Sequence, residues 1–455
     1  MPQPIPGLPN ELALRISDYL HPKDLFHLLQ ALPEFALILS PKHITRTDFA
    51  FKRAEPEIIT DRSILRGESS YYADPDYMGN TILHIAATNG DAIVMKYLLT
   101  NLHSSHHLIN IKNGGLQLNT PLSLAAWFGH EEVVKLLLAN PSIEANCRNA
   151  QLETPLSNAT RAGNETIVRL LLDHHGDVDP NSKAHDGATP LMWAAFNSSN
   201  SDSHAAIARL LLSVPGVDPM ARNNQGNTPL RCAAMAGCVS LVEQLLERGV
   251  DVNAANYSED VTPLMCAAAR GHTEVAALLL KQADIKVNHL SRFQRTALGY
   301  AAADGNEEIV DLLLSSRDDV DVNLGSPAPV YLAATSWAGG GGILQKLLAV
   351  PGVDVNARGG RDGGTPLIDA ADGCHVSSVG ILLDHPDVDV NAKNKAGMTA
   401  LHVAAYKGNE RVVNMLLDHP GINVDCRNLD NETYLEYSSR VKFVPPRMEL
   451  RSLSG

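Results

Sequence analysis

The feature that most constrains this chain is a block that keeps returning. Thr-Pro-Leu, a short step, then Ala-Ala occurs at Thr120-Pro121-Leu122 with Ala125-Ala126, at Thr228-Pro229-Leu230 with Ala233-Ala234, and at Thr262-Pro263-Leu264 with Ala267-Ala268. Looser copies begin at Thr81, Thr154, Thr189, Thr296, Ala328, Thr365 and Thr399, with a degenerate one at Thr433. From 81 to 433 the mean step is about 35 residues, and 120/154, 228/262, 262/296, 365/399 and 399/433 are each 34 apart. A fixed period in this range is the signature of a stacked repeat, in which no unit buries its apolar face alone.

Each copy encodes the same local structure. The Thr hydroxyl is a helix N-cap that accepts from an orphan backbone N–H. The Pro occupies the first helical position, where no N–H is needed. The Leu and the Ala pair face inward, and the Ala methyls let neighbouring helices approach closely. Gly90, Gly129, Gly163, Gly237, Gly271, Gly305 and Gly408 follow the pair by three residues and end the helix at positive φ. A second helix is expected with an apolar stripe of Val134, Leu137 and Leu138, of Val168, Leu171 and Leu172, or of Val310, Leu313 and Leu314. An extended stretch such as Val250-Asp251-Val252-Asn253-Ala254 then turns into the next Thr.

Motif, period and order together resemble the ankyrin repeat. The expected fold is an all-α ankyrin-repeat solenoid of about ten helix-turn-helix repeats with hairpin-like turns, spanning 78–440 and ending in a degenerate repeat, with a tail at 441–455. The family's His after Thr-Pro-Leu stands only at His84 and His402. Ser123, Ser157, Met192, Arg231, Met265, Gly299 or Ile368 replaces it elsewhere, so the hydrogen-bond network it supports is expected to be incomplete. Inserts fall at Leu102–His107 and Asn197–Ser203. The copy at Ala328 carries Gly339-Gly340-Gly341-Gly342 where its second helix should begin, which opposes helix by about 1 kcal/mol per residue and marks the softest point.

Residues 1–45 do not follow the repeat. Leu12, Ile16 and Tyr19/Leu20 share one helical stripe, Pro22 interrupts it, and Leu25, Leu28, Leu29 and Leu32 form a second. Leu8-Pro9-x-Glu11-Leu12, then Ile16, then Tyr19-Leu20, then Pro22-x-Asp24-Leu25 resembles an F-box, a three-helix unit. That resemblance implies docking on a Skp-type adaptor of a cullin–RING ubiquitin ligase core, through Leu8, Pro9, Glu11, Leu12, Ile16, Leu20 and Leu25. The apolar Ala31–Ala36 segment, with Pro33, departs from the family. The alternative is that these helices only cover the first repeat, since solenoid ends need a polar cap. Residues 46–77 read as a charged connector.

Composition narrows the function. With 37 basic against 51 acidic side chains the net charge is −14, which disfavours direct nucleic-acid contact. No run of about 18 apolar residues offers a membrane span. Six unpatterned cysteines fit a reducing, intracellular setting, cytoplasmic or nuclear. No phosphate loop or nucleophile elbow appears. His103, His106 and His107 lack partners for a metal shell, and acidic runs such as Asp387–Asn391 need only turn formation to explain them. No catalytic residue, metal or cofactor is therefore expected.

Binding remains. The two residues after each Ala pair are not needed for the repeat's own core, and family members commonly meet targets there. Trp127, Phe128, Arg161, Phe196, Met235, Arg270, Tyr406 and Lys407 are the candidate target contacts; aromatic and Arg side chains dominate interface energetics. Turn tips add Arg148, Arg222, Arg292, Phe293, Arg361, Lys393 and Lys395. The expected function is a substrate-recognition adaptor of a cullin–RING ligase, with the array holding an unknown target protein; the alternative is a scaffold or transcription coregulator without a ligase role.

Overall fold

A computed structural model describes residues 22–31, 80–101, 106–114, 117–174, 178–198, 202–337 and 340–439. Among them regular structure is helical, apart from one isolated bridge between Gly359 and Gly364. No described helix is long and apolar enough to cross a membrane. The chain divides into two compact units, Met1–Asn224 and Gln225–Gly455.

The first unit opens with α1 (Pro22–Ala31), followed by the helix pairs α2 (Ile82–Asn89) and α3 (Ala92–Asn101), α4 (Pro121–Phe128) and α5 (Glu131–Leu138), α6 (Pro155–Ala162) and α7 (Glu165–Leu172), and α8 (Pro190–Asn197) and α9 (Asp202–Ser213). The second unit contains α10 (Pro229–Ala236) and α11 (Val239–Glu247), α12 (Pro263–Arg270) and α13 (Thr273–Leu280), and α14 (Ala297–Asp304) and α15 (Glu307–Ser316). It continues with α16 (Pro329–Thr335) and α17 (Gly340–Leu348), α18 (Pro366–Asp372) and α19 (Val376–Leu383), α20 (Ala400–Lys407) and α21 (Glu410–Asp418), and a final α22 (Tyr434–Ser438). Within each unit first helices pack on first helices and second helices on second helices.

Local chemistry follows the block. Thr120, Thr154, Thr189, Thr228, Thr262, Thr296, Thr365 and Thr399 each accept from the backbone N–H three residues on. The glycines after the Ala pairs are left-handed, as at Gly90 (φ 72°). A Cβ at Gly90 would also stand 2.3 Å from Nδ1 of His130, whose Nε2 donates to the Thr88 carbonyl at 2.7 Å. The glycine therefore serves both the turn and the close approach of the next repeat. Asn164, His204, His272 and Asn306 likewise reach back to the preceding first helix, as with Asn306 Nδ2 to the carbonyls of Ala268 (2.7 Å) and Ala269 (3.1 Å).

The second-helix stripe differs from expectation by a rotation. Val133, Val134 and Leu137 are buried, as are Ile167, Val168 and Leu171, and Ile309, Val310 and Leu313. Leu138, Leu172 and Leu314 are only half-buried. At about 100° per residue the third Leu swings past the core side, while the unforeseen Val133, Ile167 and Ile309 face it.

The two histidines of the repeat motif behave alike. His84 Nε2 donates to the carbonyls of Asn119 (3.0 Å) and Ile111 (3.1 Å), while its Nδ1 accepts from the Thr81 N–H (3.2 Å). His402 Nε2 donates to the Glu432 carbonyl (3.1 Å). Burial lowers the His84 pKa to about 4, so the ring is neutral at pH 7. Arg231, in the same position, takes over the inter-repeat bond: its Nε donates to the Val261 carbonyl at 3.2 Å. The network is more complete here than a count of histidines implies.

The Gly run does not prevent the second helix of its repeat: α17 includes Gly341 and Gly342. A Cβ on Gly342 would lie 3.0 Å from the Glu307 carboxylate, and one on Gly341 3.2 Å from Ser377 Oγ. The absent side chains let α17 sit closely between α15 and α19, where Lys346 pairs with Glu307 (3.0 Å) and Asp311.

Helix α1 packs on α2 and α3, burying Leu25, Phe26 and Leu29, and Gln30 donates to Asp91 at 3.4 Å. Its Pro22 stands at the first position of the helix rather than only ending an earlier one. Of the seven F-box-like positions, Leu25 is buried; Leu8, Pro9, Glu11, Leu12, Ile16 and Leu20 lie outside the described residues, as do the connector and the tail.

Candidate functional site

In each unit the first helices pack side by side and carry side chains that the repeat core does not use. In the first unit Arg161 of α6 lies between two indoles: its guanidinium carbon is 4.6 Å from the Trp193 ring and 5.5 Å from the Trp127 ring. Its Nη1 pairs with Glu153, whose side chain is nearly fully buried. Arg161 and Trp127 thus form a fixed platform in which the cation is already matched, and Arg161 holds the aromatic surface rather than offering a free charge. Trp193, four residues after the capping Thr189, completes the platform; bulk at a position held by Cys232 in α10 and Cys266 in α12 was the available signal. Phe128 stacks on His130 with ring centroids 6.3 Å apart. Phe196 is 47% exposed, more accessible than Phe128.

In the second unit Met235 and Arg270, two of the candidate contacts, line one cavity. It measures about 550 Å³ and is walled by Val261, Met265, Phe293 and Tyr300, with Arg270 and Arg295 among its lining residues. The Arg295 guanidinium carbon is 5.9 Å from the Tyr300 ring, and Tyr300 donates its hydroxyl to Ser291 at 3.2 Å. Burial raises the carboxyl pKa of nearby Asp304, and the positive charges of Arg295 and Arg270 oppose that rise. Burial likewise raises the Cys266 thiol. Arg295 and Tyr300 escaped the sequence reading because they precede the capping Thr296 and follow it by four, outside the pair after Ala-Ala.

Tyr406 and Lys407 are exposed, yet each already has a neighbour. Tyr406 lies 5.0 Å from the Tyr437 ring of α22, and Lys407 pairs with Asp372 at 3.1 Å. Beside them Asp369 accepts from the Tyr331 hydroxyl. Two turn-tip lysines are also engaged: Lys393 Nζ donates to the Arg427 carbonyl at 2.9 Å and Lys395 Nζ to the Arg361 carbonyl at 3.1 Å. Trp337, 82% exposed and 4.3 Å from the His375 ring, is the aromatic surface that the sequence reading passed over.

No group of three His, Cys, Asp or Glu side chains among the described residues could hold a metal; His103 lies outside them. The cysteines are free thiols, and burial with the nearby Glu144 pushes Cys147 up to about 11.

Stacked helix pairs with capped first helices and a side-chain-rich first-helix face define a repeat protein built for contact with other proteins. The family described as ankyrin repeats (3 copies) matches residues 60–149, 141–223, 253–325 and 331–428, and the single ankyrin repeat matches 225–257. The chain belongs to the ankyrin-repeat family, and its repeats are a protein–protein interaction module.

Proposed function

We propose that this chain is an adaptor that holds a target protein on the first-helix face and presents it to a Skp-type adaptor of a cullin–RING ubiquitin ligase. The observation that carries the holding role is the gathering of Met235, Arg270, Phe293, Arg295 and Tyr300 around one cavity of the second unit. These residue types anchor protein interfaces, and the repeat fold does not need them there. The domain plan is a docking unit at 1–45, a connector at 46–77, the array at 78–440 and a tail. Catalysis belongs to the recruited enzyme; the chain contributes proximity, raising the effective concentration of target near it.

The ligase half of the reading is supported by the order of Leu8, Pro9, Glu11, Leu12, Ile16 and Leu20. Because Leu25 is buried where α1 packs on the first helix pair, adaptor contact is assigned to the residues before it. That same burial favours a second reading, in which α1 is an end cover and the protein is a scaffold or coregulator with no ligase role.

Co-purification from cells separates the two. The Leu8→Ala/Pro9→Ala chain should lose Skp adaptor and cullin while keeping its other partners. Unchanged recovery, or no adaptor with the wild-type chain, rules out the ligase half and leaves the scaffold reading.

A further inference from the structure

Resting on the target-holding reading, we propose that the cavity walled by α10, α12 and α14 is the subsite for one acidic side chain of the partner, an Asp or Glu carried next to a bulky apolar residue in an extended segment.

Charge sets the polar half of the occupant. Arg270 is exposed and Arg295 half-buried. Among the described residues neither has a carboxylate within salt-bridge distance. Arg231 of α10, outside the lining, donates to Asn227 (2.7 Å) and the Val261 carbonyl (3.2 Å), both neutral acceptors, and its charge reaches Cys266 on the cavity wall. The neighbouring acids are Glu259, which lines the cavity, and Asp304, which feels both Arg270 and Arg295. Among the lining residues, two guanidiniums, Arg270 and Arg295, stand against one carboxylate, Glu259, which leaves one positive charge over on a chain whose net charge is −14. One extra monoanion balances it. A phosphoryl dianion would exceed it and would face Glu259 as well.

The walls set the apolar half. Met235 and Met265 are adaptable packing surfaces, and Phe293 stands 58% exposed at the rim. An aromatic side chain left in water beside two guanidiniums that have no carboxylate at salt-bridge distance among the described residues is matched by an apolar residue adjacent to a carboxylate. Arg forks bind carboxylates in two-point geometry, which fixes the register of the segment on the face.

The test is selection of a displayed random-peptide library on the full-length wild-type chain, followed by titration of the winning synthetic peptides. The expected result is enrichment of Asp or Glu beside Leu, Ile, Met or Phe. Affinity should then fall at least about tenfold in Arg270→Gln/Arg295→Gln, as expected for lost charge-assisted bonds, and rise in Glu259→Gln. Circular dichroism melting confirms that the variants fold. Peptides without an acidic residue, or binding indifferent to the double variant, overturn the subsite while leaving target holding intact. A phosphoserine version binding more tightly than the Glu version also overturns it. No enrichment on the wild-type chain removes both the subsite and the holding role.

Discussion

Asn253 grips the backbone of the following repeat on both sides of Ile285: its Nδ2 donates to the Asp284 carbonyl and its Oδ1 accepts from the Lys286 N–H, each at 2.8 Å. The same two-point clamp recurs at Asn288, Asn323, Asn356 and Asn391 in the second unit, and at Asn110 and Asn181 in the first. Asp251 accepts from the Asn253 N–H at 3.0 Å and fixes the clamping residue in place. Asn253→Ala should destabilise the α10–α13 region by about 1–3 kcal/mol, the loss of two net hydrogen bonds. Hydrogen exchange should show the Lys286 amide losing protection first, while Asn253→Asp retains only the acceptor half.

The buried His84 ties stability to pH. Its folded pKa of about 4 lies below the ordinary 6.5, so the unfolded chain takes up the proton first as pH falls. Its contribution is complete above pH 6.5 and is lost as pH falls from there through about 4. The loss is on the order of 3 kcal/mol. Burial depresses His402 in the same direction. Protection factors for the amides of residues 82–101 and 117–120, taken after correction for the pH dependence of the intrinsic exchange rate, should fall steadily from pH 7 to pH 4, and His84→Gln should flatten that profile.

Gly90→Ala combines a left-handed backbone with a contact against His130. It should cost about 2 kcal/mol or more. His130→Ala in the same background should recover only the steric share and not the backbone share, as read by the two melting temperatures.

Breaking the Arg161–Glu153 pair leaves a nearly buried carboxylate uncompensated. Arg161→Met should therefore destabilise the first unit by about 2 kcal/mol, less than a fully buried pair because Arg161 is part-exposed. Arg161→Met/Glu153→Gln should regain most of it, with tryptophan fluorescence reporting the loosened Trp127 and Trp193.

Gly342→Ala tests the glycine-rich second helix. The new methyl meets only the flexible end of Glu307, so the helix-propensity gain of about 1 kcal/mol should exceed the cost of moving that carboxylate. The expected outcome is slower exchange across α17.

Much of this architecture was legible because the block states its own chemistry: Thr120 caps, Pro121 enters, Ala125 and Ala126 close the gap, Gly129 turns. Those roles are local, and spacing alone carries them. What stayed hidden was relational. The Asn253 clamp looks like ordinary turn composition until its partner a repeat away is seen, and Val133 and Leu138 differ only by one step around a helix. At the candidate site, Met235 and Arg270 stand out in the sequence by position, whereas Arg295 and Tyr300 belong to the cavity only because consecutive repeats bring them alongside. Arg161, Tyr406 and Lys407 look free in the sequence because their neighbours Glu153, Tyr437 and Asp372 are set by packing.

The asparagine clamp touches only main-chain atoms, which every residue carries. A joint of that kind is blind to its neighbour's side chains, so units can be duplicated, deleted or exchanged without redesigning the seam. The surface residues of a repeat are then free to diverge toward new targets while the coupling to the next one stays the same.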